Sequence, residues 1–468
     1  MLIKNFNIYK LAFLLLTFFV YSKVMSTECP QLIEEIIVHK NTVTIVPNTA
    51  FTETFLSEPY FFAEYDEHLD LSILDKSVLI IPFLGITAPF IWATNSLYSI
   101  PCIDEDYFNA LQKIKTVYKI LYPSLSWSGE ILPEKIVKNK RNESNNPHHH
   151  NKNKKVYGVL FSGGLDAVCT SFAHFGKQQR LITICGGDIR PGQEHMWQQV
   201  KQQAYDFAFA YGHSNSFVRS NFLTILNHDY LNTLSPEISA WWAHTSQSMS
   251  YCSLVAPLVI AENFDALLIA STRTIEYPYA YGTHPLIDNE ICYAGIHVVH
   301  DGAELDRMGK VQLIKKTIQE QHIAPPLLRV CWGKDFDGGN CCECEKCLRT
   351  MNELLVEGEN FQKYGFSIPV STLITRTKNY FKTKISMRAG LWWHWGCVLK
   401  RIHERLEEEN RTHTILFNEN IRNYLLWLSR VDLDAVGCNK EKKIVLEQQK
   451  MLLRYLWNKS LETTRWLD

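Results

Sequence analysis

The sequence predicts an α/β protein with a parallel-sheet core over residues 156–358, a smaller α/β region before it and a helical region after it. Three observations carry this prediction. First, short apolar runs at 156–161, 180–185, 266–270 and 327–330 alternate with helical stretches at 193–211, 246–263 and 309–320. Strands separated by helices make βαβ units, whose sheet is parallel and whose ligands bind at the carboxyl ends of the strands. Second, the run at 156–161 ends in Ser162-Gly163-Gly164, a tight turn that delivers the chain into a helical segment. Third, beyond Gly358, the residues Leu391, Trp395, Val398, Leu399, Ile402 and Leu406 mark one buried helical stripe.

Taken in order, the chain starts with a segment, 1–26, in which Lys4 and Lys10 precede an apolar run over 11–21. The run resembles a secretory signal and is short for a membrane span. Three readings stay open: an inert or misassigned extension with translation from Met25, a working signal, or a membrane anchor. Residues 27–138 form the N-terminal α/β region. Residues 42–47 and 77–82 are β-branched, bounded by turn formers, and read as strands. Residues 107–121 read as a helix, with Phe108, Leu111, Ile114 and Val117 at helical spacing. Residues 139–155 hold almost nothing apolar to offset their ordering entropy, and read as a linker. Its three histidines, His148 to His150, read as solvated linker rather than as metal ligands.

The composition bounds the partners. With 48 Lys and Arg against 49 Asp and Glu, no basic field is available to hold a long nucleic acid by counterion release. Of 13 cysteines, five fall between Cys331 and Cys347. A disulfide framework would spread pairs along a short secreted chain; a dense cluster in a long one points to a metal site in a reducing compartment, the cytoplasm.

The Ser162-Gly163-Gly164 turn has its own chemistry. Glycines let the backbone approach a ligand, and the unpaired N–H groups of the following helix, with its dipole, attract phosphate. Ser162 adds a hydroxyl, and Asp166 suits orienting the loop or reaching a magnesium ion. Neither the Walker loop nor the dinucleotide fingerprint is present. The run Ser162-Gly163-Gly164-Leu165-Asp166-Ala167 resembles the Ser-Gly-Gly-x-Asp-Ser loop of the PP-loop ATP pyrophosphatases, with Ala167 in place of the usual serine and one hydroxyl donor fewer. The resemblance implies an adenine nucleotide alpha hydrolase-like core that cleaves ATP between its α and β phosphates, with Mg2+ accompanying ATP. It implies nucleotide contacts from Ser162, Gly163, Gly164, Asp166 and Ala167, with Gly187 near the adenosine and Ser271 bordering the cleft. The segment 300–310 resembles the one that carries a phosphate-facing base in such enzymes. Its Arg307 and Lys310, three apart and so on one helical face if the helix has begun, join Asp166 as the candidate catalytic residues. They would neutralise charge on departing pyrophosphate. His284 and His300 lie in the same region.

Nine residues separate Cys331 from Cys341-Cys342-Glu343-Cys344-Glu345-Lys346-Cys347. Cys341, Cys344 and Cys347 make two Cys-x-x-Cys steps, and Cys331 completes four thiolates suited to structural Zn2+. Register alone leaves Cys342 open in place of Cys341. An iron–sulfur cluster and redox-active thiols are the alternatives. A four-cysteine site behind a PP-loop core resembles the 7-cyano-7-deazaguanine synthase-like members of the superfamily, over residues 156–355. This implies ATP-dependent adenylation of a small-molecule or peptide carboxylate, pyrophosphate release, and amide or nitrile formation by a ligase-type enzyme. A thiolating or nucleoside-modifying enzyme, using Cys169 or Cys185, and a non-catalytic nucleotide-binding protein are the alternatives. The expected partners are ATP and an unidentified acid. The expected compartment is the cytoplasm, with membrane contact only through an N-terminal anchor.

Overall fold

The computed structural model describes residues 29–140, 155–235, 238, 240–275, 277, 280–331, 339–383 and 389–433. The readings of 1–26 and of the linker histidines lie outside the described residues. The chain opens with β1 (Ile33–His39), β2 (Thr42–Pro47), α1 (Thr49–Phe55) and β3 (Phe61–Glu64). Helices α2 (Lys76–Leu79), α3 (Ile81–Ala93) and α4 (Glu105–Leu121) follow. With them come two small parallel ladders: β4 (Leu97–Ile100) with β6 (Glu130–Pro133), and β5 (Ile103–Asp104) with β7 (Ile136–Val137). The alternation then runs β8 (Val156–Leu160), α5 (Leu165–Ala173), β9 (Gln178–Cys185), α6 (Glu194–Tyr211) and β10 (Ser214–Ser220). Next are α7 (His228–Leu231), α8 (Gln247–Leu254), α9 (Ala256–Ala261) and β11 (Ala266–Ala270). After them come α10 (Pro285–Asp288), β12 (Cys292–Tyr293), β13 (Ile296–Asp301) and α11 (Arg307–Gln321). Four helices follow: α12 (Glu345–Val356), α13 (Val370–Thr383), α14 (Ala389–Thr412) and α15 (Glu419–Leu428).

One nine-stranded sheet organises the molecule, in the order β1-β2-β3-β10-β9-β8-β11-β13-β12. Its centre, β10-β9-β8-β11-β13, is parallel. Antiparallel pairing adds β3, β2 and β1 at one edge and β12 at the other. The strands of the N-terminal region therefore extend the same sheet. Within the parallel centre the chain runs outward from β8 through β9 to β10, then returns to β11 on the other side of β8. The carboxyl ends of β8 and β11 thus flank a topological switch point, where loops diverge and leave a crevice. Alternation along the strands feeds two cores: Leu267 and Ile269 face one, Leu268 the other.

Three readings of secondary structure are corrected. Residues 77–82 are helical, because Asp75 accepts from the Ser77 N–H at 2.8 Å and caps α2. Pro82 then sits in the first turn of α3, a helix buried on every side, whose apolar run has no period to separate it from a strand. Residues 327–330 form no strand; they are tied to the Ser162-Gly163-Gly164 turn and to Tyr364 by single bonds from Arg329 N–H to Gly163 O and from Leu328 N–H to Tyr364 O. The expected helix over 246–263 is divided between α8 and α9 around Val255, ahead of Pro257. The helix over 107–121 and the stripe of Trp395, Val398 and Ile402 are present, the latter fully buried on α14. Among the described residues no helix is long and apolar enough to cross a membrane.

Candidate functional site

The turn after β8 stands at the switch point. Gly163 has φ +73°, a left-handed conformation that favours glycine, and Gly164 caps α5 without a side-chain bond to its N–H groups. The first turn of α5 thus keeps its backbone donors for a ligand. Ser162 Oγ accepts from the Gly164 N–H at 3.3 Å and shapes the turn. A strap secures it from outside: Arg329 donates from Nε and Nη2 to Ser162 O at 3.1 and 2.8 Å, and from its N–H to Gly163 O at 2.8 Å.

Asp166, in the first turn of α5, meets two cations from α11. Asp306 caps that helix by accepting from the Gly309 N–H, so Arg307 and Lys310 do share its first turns. Lys310 Nζ donates to Asp166 Oδ1 at 3.0 Å and also to the carbonyl of Ser271, at the end of β11. Arg307 Nη1 donates to Asp166 Oδ2 at 2.9 Å. Burial raises the Asp166 pKa, but Lys310 and Arg307 outweigh it and hold the carboxyl at about 2. Arg307 is fully buried and otherwise committed to protein: Nε and Nη2 grip Glu353 at 2.8 and 3.1 Å, and Nη2 also reaches Thr350. Its remaining nitrogen, Nη1, is the one that meets Asp166. Ser271 is buried, with its hydroxyl donating to the Arg273 carbonyl.

Gly187 lies in the turn after β9, where an added Cβ would collide with the Tyr251 hydroxyl. Asp188 beside it is exposed and acts electrostatically on Arg329, Tyr251 and Lys346. Burial lowers the Lys346 pKa, while Asp166 and Asp188 oppose that fall. Lys310, Lys346 and Arg329 therefore gather three cations around two carboxylates at the mouth of a helix N-terminus. An anion is the ligand this field favours.

The second centre is the cysteine cluster. Sγ atoms of Cys331, Cys341, Cys344 and Cys347 lie within 4.8 Å of one another. Cys331 to Cys344 is 4.0 Å and Cys341 to Cys347 is 3.9 Å. A tetrahedron with metal–sulfur bonds of about 2.3 Å has edges of about 3.8 Å, so the set fits a tetrahedral metal. The choice between neighbours is settled by the backbone: Cys342 has φ +57° and turns its thiol to the Asn340 carbonyl, away from the cluster. Cys341 Sγ instead accepts from the N–H groups of Glu343 and Cys344, at 3.4 and 3.2 Å. Burial pushes the Cys341 thiol up to about 11. The Cys344 hydrogen bond, burial and the neighbouring sulfurs raise Cys347 further. As thiolates, these four sulfurs could hold a metal ion between them.

The two centres are joined. Helix α12 carries Cys347 and also Arg349, which binds Glu345 at 2.7 Å and Glu353 at 3.3 Å. Glu353 holds Arg307, and Arg307 holds Asp166. Sequence reading missed Arg329, Lys346, Arg349 and Glu353. The i, i+4 spacing of Glu345, Arg349 and Glu353 was a usable signal; nothing local marked Arg329. Comparison with family models finds none that matches this chain, and comparison with curated proteins finds no match. The reading of the site therefore rests on its own geometry.

Proposed function

We propose that this chain activates a carboxylate as an adenylate with ATP, releases pyrophosphate, and passes the acyl group to a nitrogen nucleophile to give an amide, with a nitrile formed only if a second ATP activates the amide oxygen and it leaves with AMP. The observation that carries the reading is the Ser162-Gly163-Gly164 turn at the switch point, faced by Lys310 across Asp166. Backbone donors at 163–167 would take the phosphates. Lys310, Lys346 and Arg329 would stabilise the charge that develops on the leaving pyrophosphate. Mg2+ would enter with the nucleotide rather than on Asp166, both of whose oxygens already accept from cations. Zn2+ is the metal that four soft ligands in a closed tetrahedron suit best, and it would be structural.

Against sulfur transfer stand the candidate thiols themselves. Cys169 and Cys185 are buried, and burial pushes them up to about 12 and about 11, so neither is a reactive thiolate at neutral pH. The deciding test is ATP–pyrophosphate exchange against a panel of carboxylic acids, with AMP and pyrophosphate as products. Lys310→Met keeps the volume and removes the charge; it should lower exchange at least about 100-fold, the scale of losing one electrostatic donor. Formation of ADP and phosphate, or exchange untouched in Lys310→Met, refutes the reading.

A further inference from the structure

Beside the phosphate site lies a cavity of about 190 Å³ that the proposed chemistry has so far left without a role. Its wall is shared with that site: Ser271, whose carbonyl receives Lys310, also lines the cavity. Tyr277, Tyr281 and Leu286 give it apolar surface, and His284 and His300 give it polar atoms.

The two histidines are held in opposite senses. His300, on β13, directs Nδ1 to Asp288 Oδ2 at 2.6 Å, and Asp288 is completely buried. With Nδ1 committed to Asp288, Nε2 is the ring nitrogen left for a ligand. Among the described residues no group bonds that nitrogen. Asp288 is itself steadied by the His284 N–H at 3.4 Å, and Asn289 Oδ1 accepts from the His300 N–H at 2.8 Å. His284 Nδ1 accepts from the Leu286 N–H at 3.2 Å, so its proton sits on Nε2 and it is a donor. Burial, with His300 and Arg273, holds His284 down at about 3, so it stays neutral. The charged or titratable groups around His300 are Asp288 and His284 from α10 and its cap, Arg273, Tyr277 and Tyr281 from the segment after β11, and Asp301, paired to His174, on its own strand.

Resting on the adenylation reading, we propose that this cavity is the acceptor site and that His300 Nε2, oriented by Asp288, takes the proton of the attacking nitrogen. The nucleophile, ammonia or a primary amine, forms a C–N bond to the acyl carbon. The C–O bond to AMP breaks and its electron pair leaves with the phosphate oxygen, while the nitrogen proton passes to His300 Nε2. No oxidant or reductant enters. The volume also bounds the acceptor. A cavity of about 150 Å³ accommodates benzene, so this one has room for a compound of one or two small rings. His300 would be the catalytic residue and Asp288 the positioning residue.

The test uses the full-length protein with ATP, ammonium chloride, and benzoate and indole-3-carboxylate as one-ring and two-ring probes within a wider acid panel. Pyrophosphate exchange reads activation, and amide formation reads attack. His300→Asn keeps a donor for Asp288 but has no base. It should lower the ratio of amide formation to exchange about 100-fold, within the range of a lost general base. Asp288→Asn should lower the same ratio about 10-fold, partly rescued by higher pH. A ratio unchanged in His300→Asn, with exchange present, overturns this proposal alone. So does failure of diethyl pyrocarbonate to label His300 in the wild-type protein, or protection of that label by no acid that supports exchange. Absence of exchange with every acid overturns the adenylation reading, and this proposal with it.

Discussion

Replacing Asp166 with asparagine tests the centre of the site by its energetics. The carboxylate accepts from Lys310 at 3.0 Å and Arg307 at 2.9 Å, with its side chain only 20% exposed. Holding its carboxyl at about 2, against an ordinary 3.8, corresponds to about 2 kcal/mol of stability at neutral pH. Asp166→Asn removes that and leaves Lys310, which is buried, with only the Ser271 carbonyl. Stranding one member of a buried pair costs about 3–5 kcal/mol, and the amide oxygen that remains offsets part of it. The expected loss at pH 7 is about 3 kcal/mol. The pH dependence has a definite sign. Because the folded-state pKa is depressed, the stabilisation is present above the ordinary value and is lost as pH falls through about 2. The gap between wild type and Asp166→Asn should therefore narrow by about 1 kcal/mol between pH 7 and pH 3. Urea unfolding followed by tryptophan fluorescence measures both gaps by linear extrapolation. A gap under about 1 kcal/mol at pH 7, or one that does not change with pH, refutes the electrostatic account of the site.

Purified protein should carry about one zinc per chain, and Cys347→Ser should lose it and unfold at lower temperature, because structural zinc contributes folding free energy. Elemental analysis and calorimetry check this; metal-free protein of unchanged stability, or an iron–sulfur spectrum, would contradict it. Arg329→Met should weaken ATP binding about 10-fold with the fold intact, since the two guanidinium bonds to Ser162 O and one cation beside the turn are lost together, while the backbone bond from residue 329 to Gly163 O stays. Titration calorimetry against ATP reads that loss, and an unaltered affinity would show that the guanidinium is dispensable.

Much of the parallel centre was legible because its strands obey simple rules. Ala266–Ala270 is a short apolar run between turns, and β8 ends at a glycine turn. Strands β10 and β13 were not read, because Ser214–Ser220 has only Phe217 and Val218 as apolar residues, Ile296–Asp301 breaks its alternation at Val298-Val299, and Ser216, Ser220 and His300 are buried against local expectation. Residues 77–82 misled for the opposite reason: a segment buried on all sides has no period, and only the caps Asp75 and Pro82 distinguish helix from strand. At the metal centre, spacing named the cysteines but could not choose between Cys341 and Cys342. That choice is a backbone property, the left-handed turn at Cys342. Around the Ser162 turn, Asp166 and Lys310 were readable from local motifs. Arg329 was not, because its partner is the turn at Ser162, and only the folded chain brings the two together.

The ion network explains why one helix serves both centres. Burying Glu353, Arg349 and Arg307 is unfavourable in itself, since desolvation offsets most of what each pair gains. Apolar residues of similar volume would fill the space between α11, α12 and α5 at least as well. They would not, however, define a distance. The chain Glu345–Arg349–Glu353–Arg307–Asp166 admits one alignment of α12 against α5, with bonds between 2.7 and 3.3 Å at every link. Since α12 begins beside Cys344 and carries Cys347, a metal that pins its first turn also sets where Arg307 presents itself to Asp166. Lys346, on that same turn, is placed in the field of Asp166 and Asp188 by the same constraint. A metal held by the four cysteines would therefore fix the geometry around Asp166 from behind, through a helix that carries two of its ligands at one end and the ion network along its length.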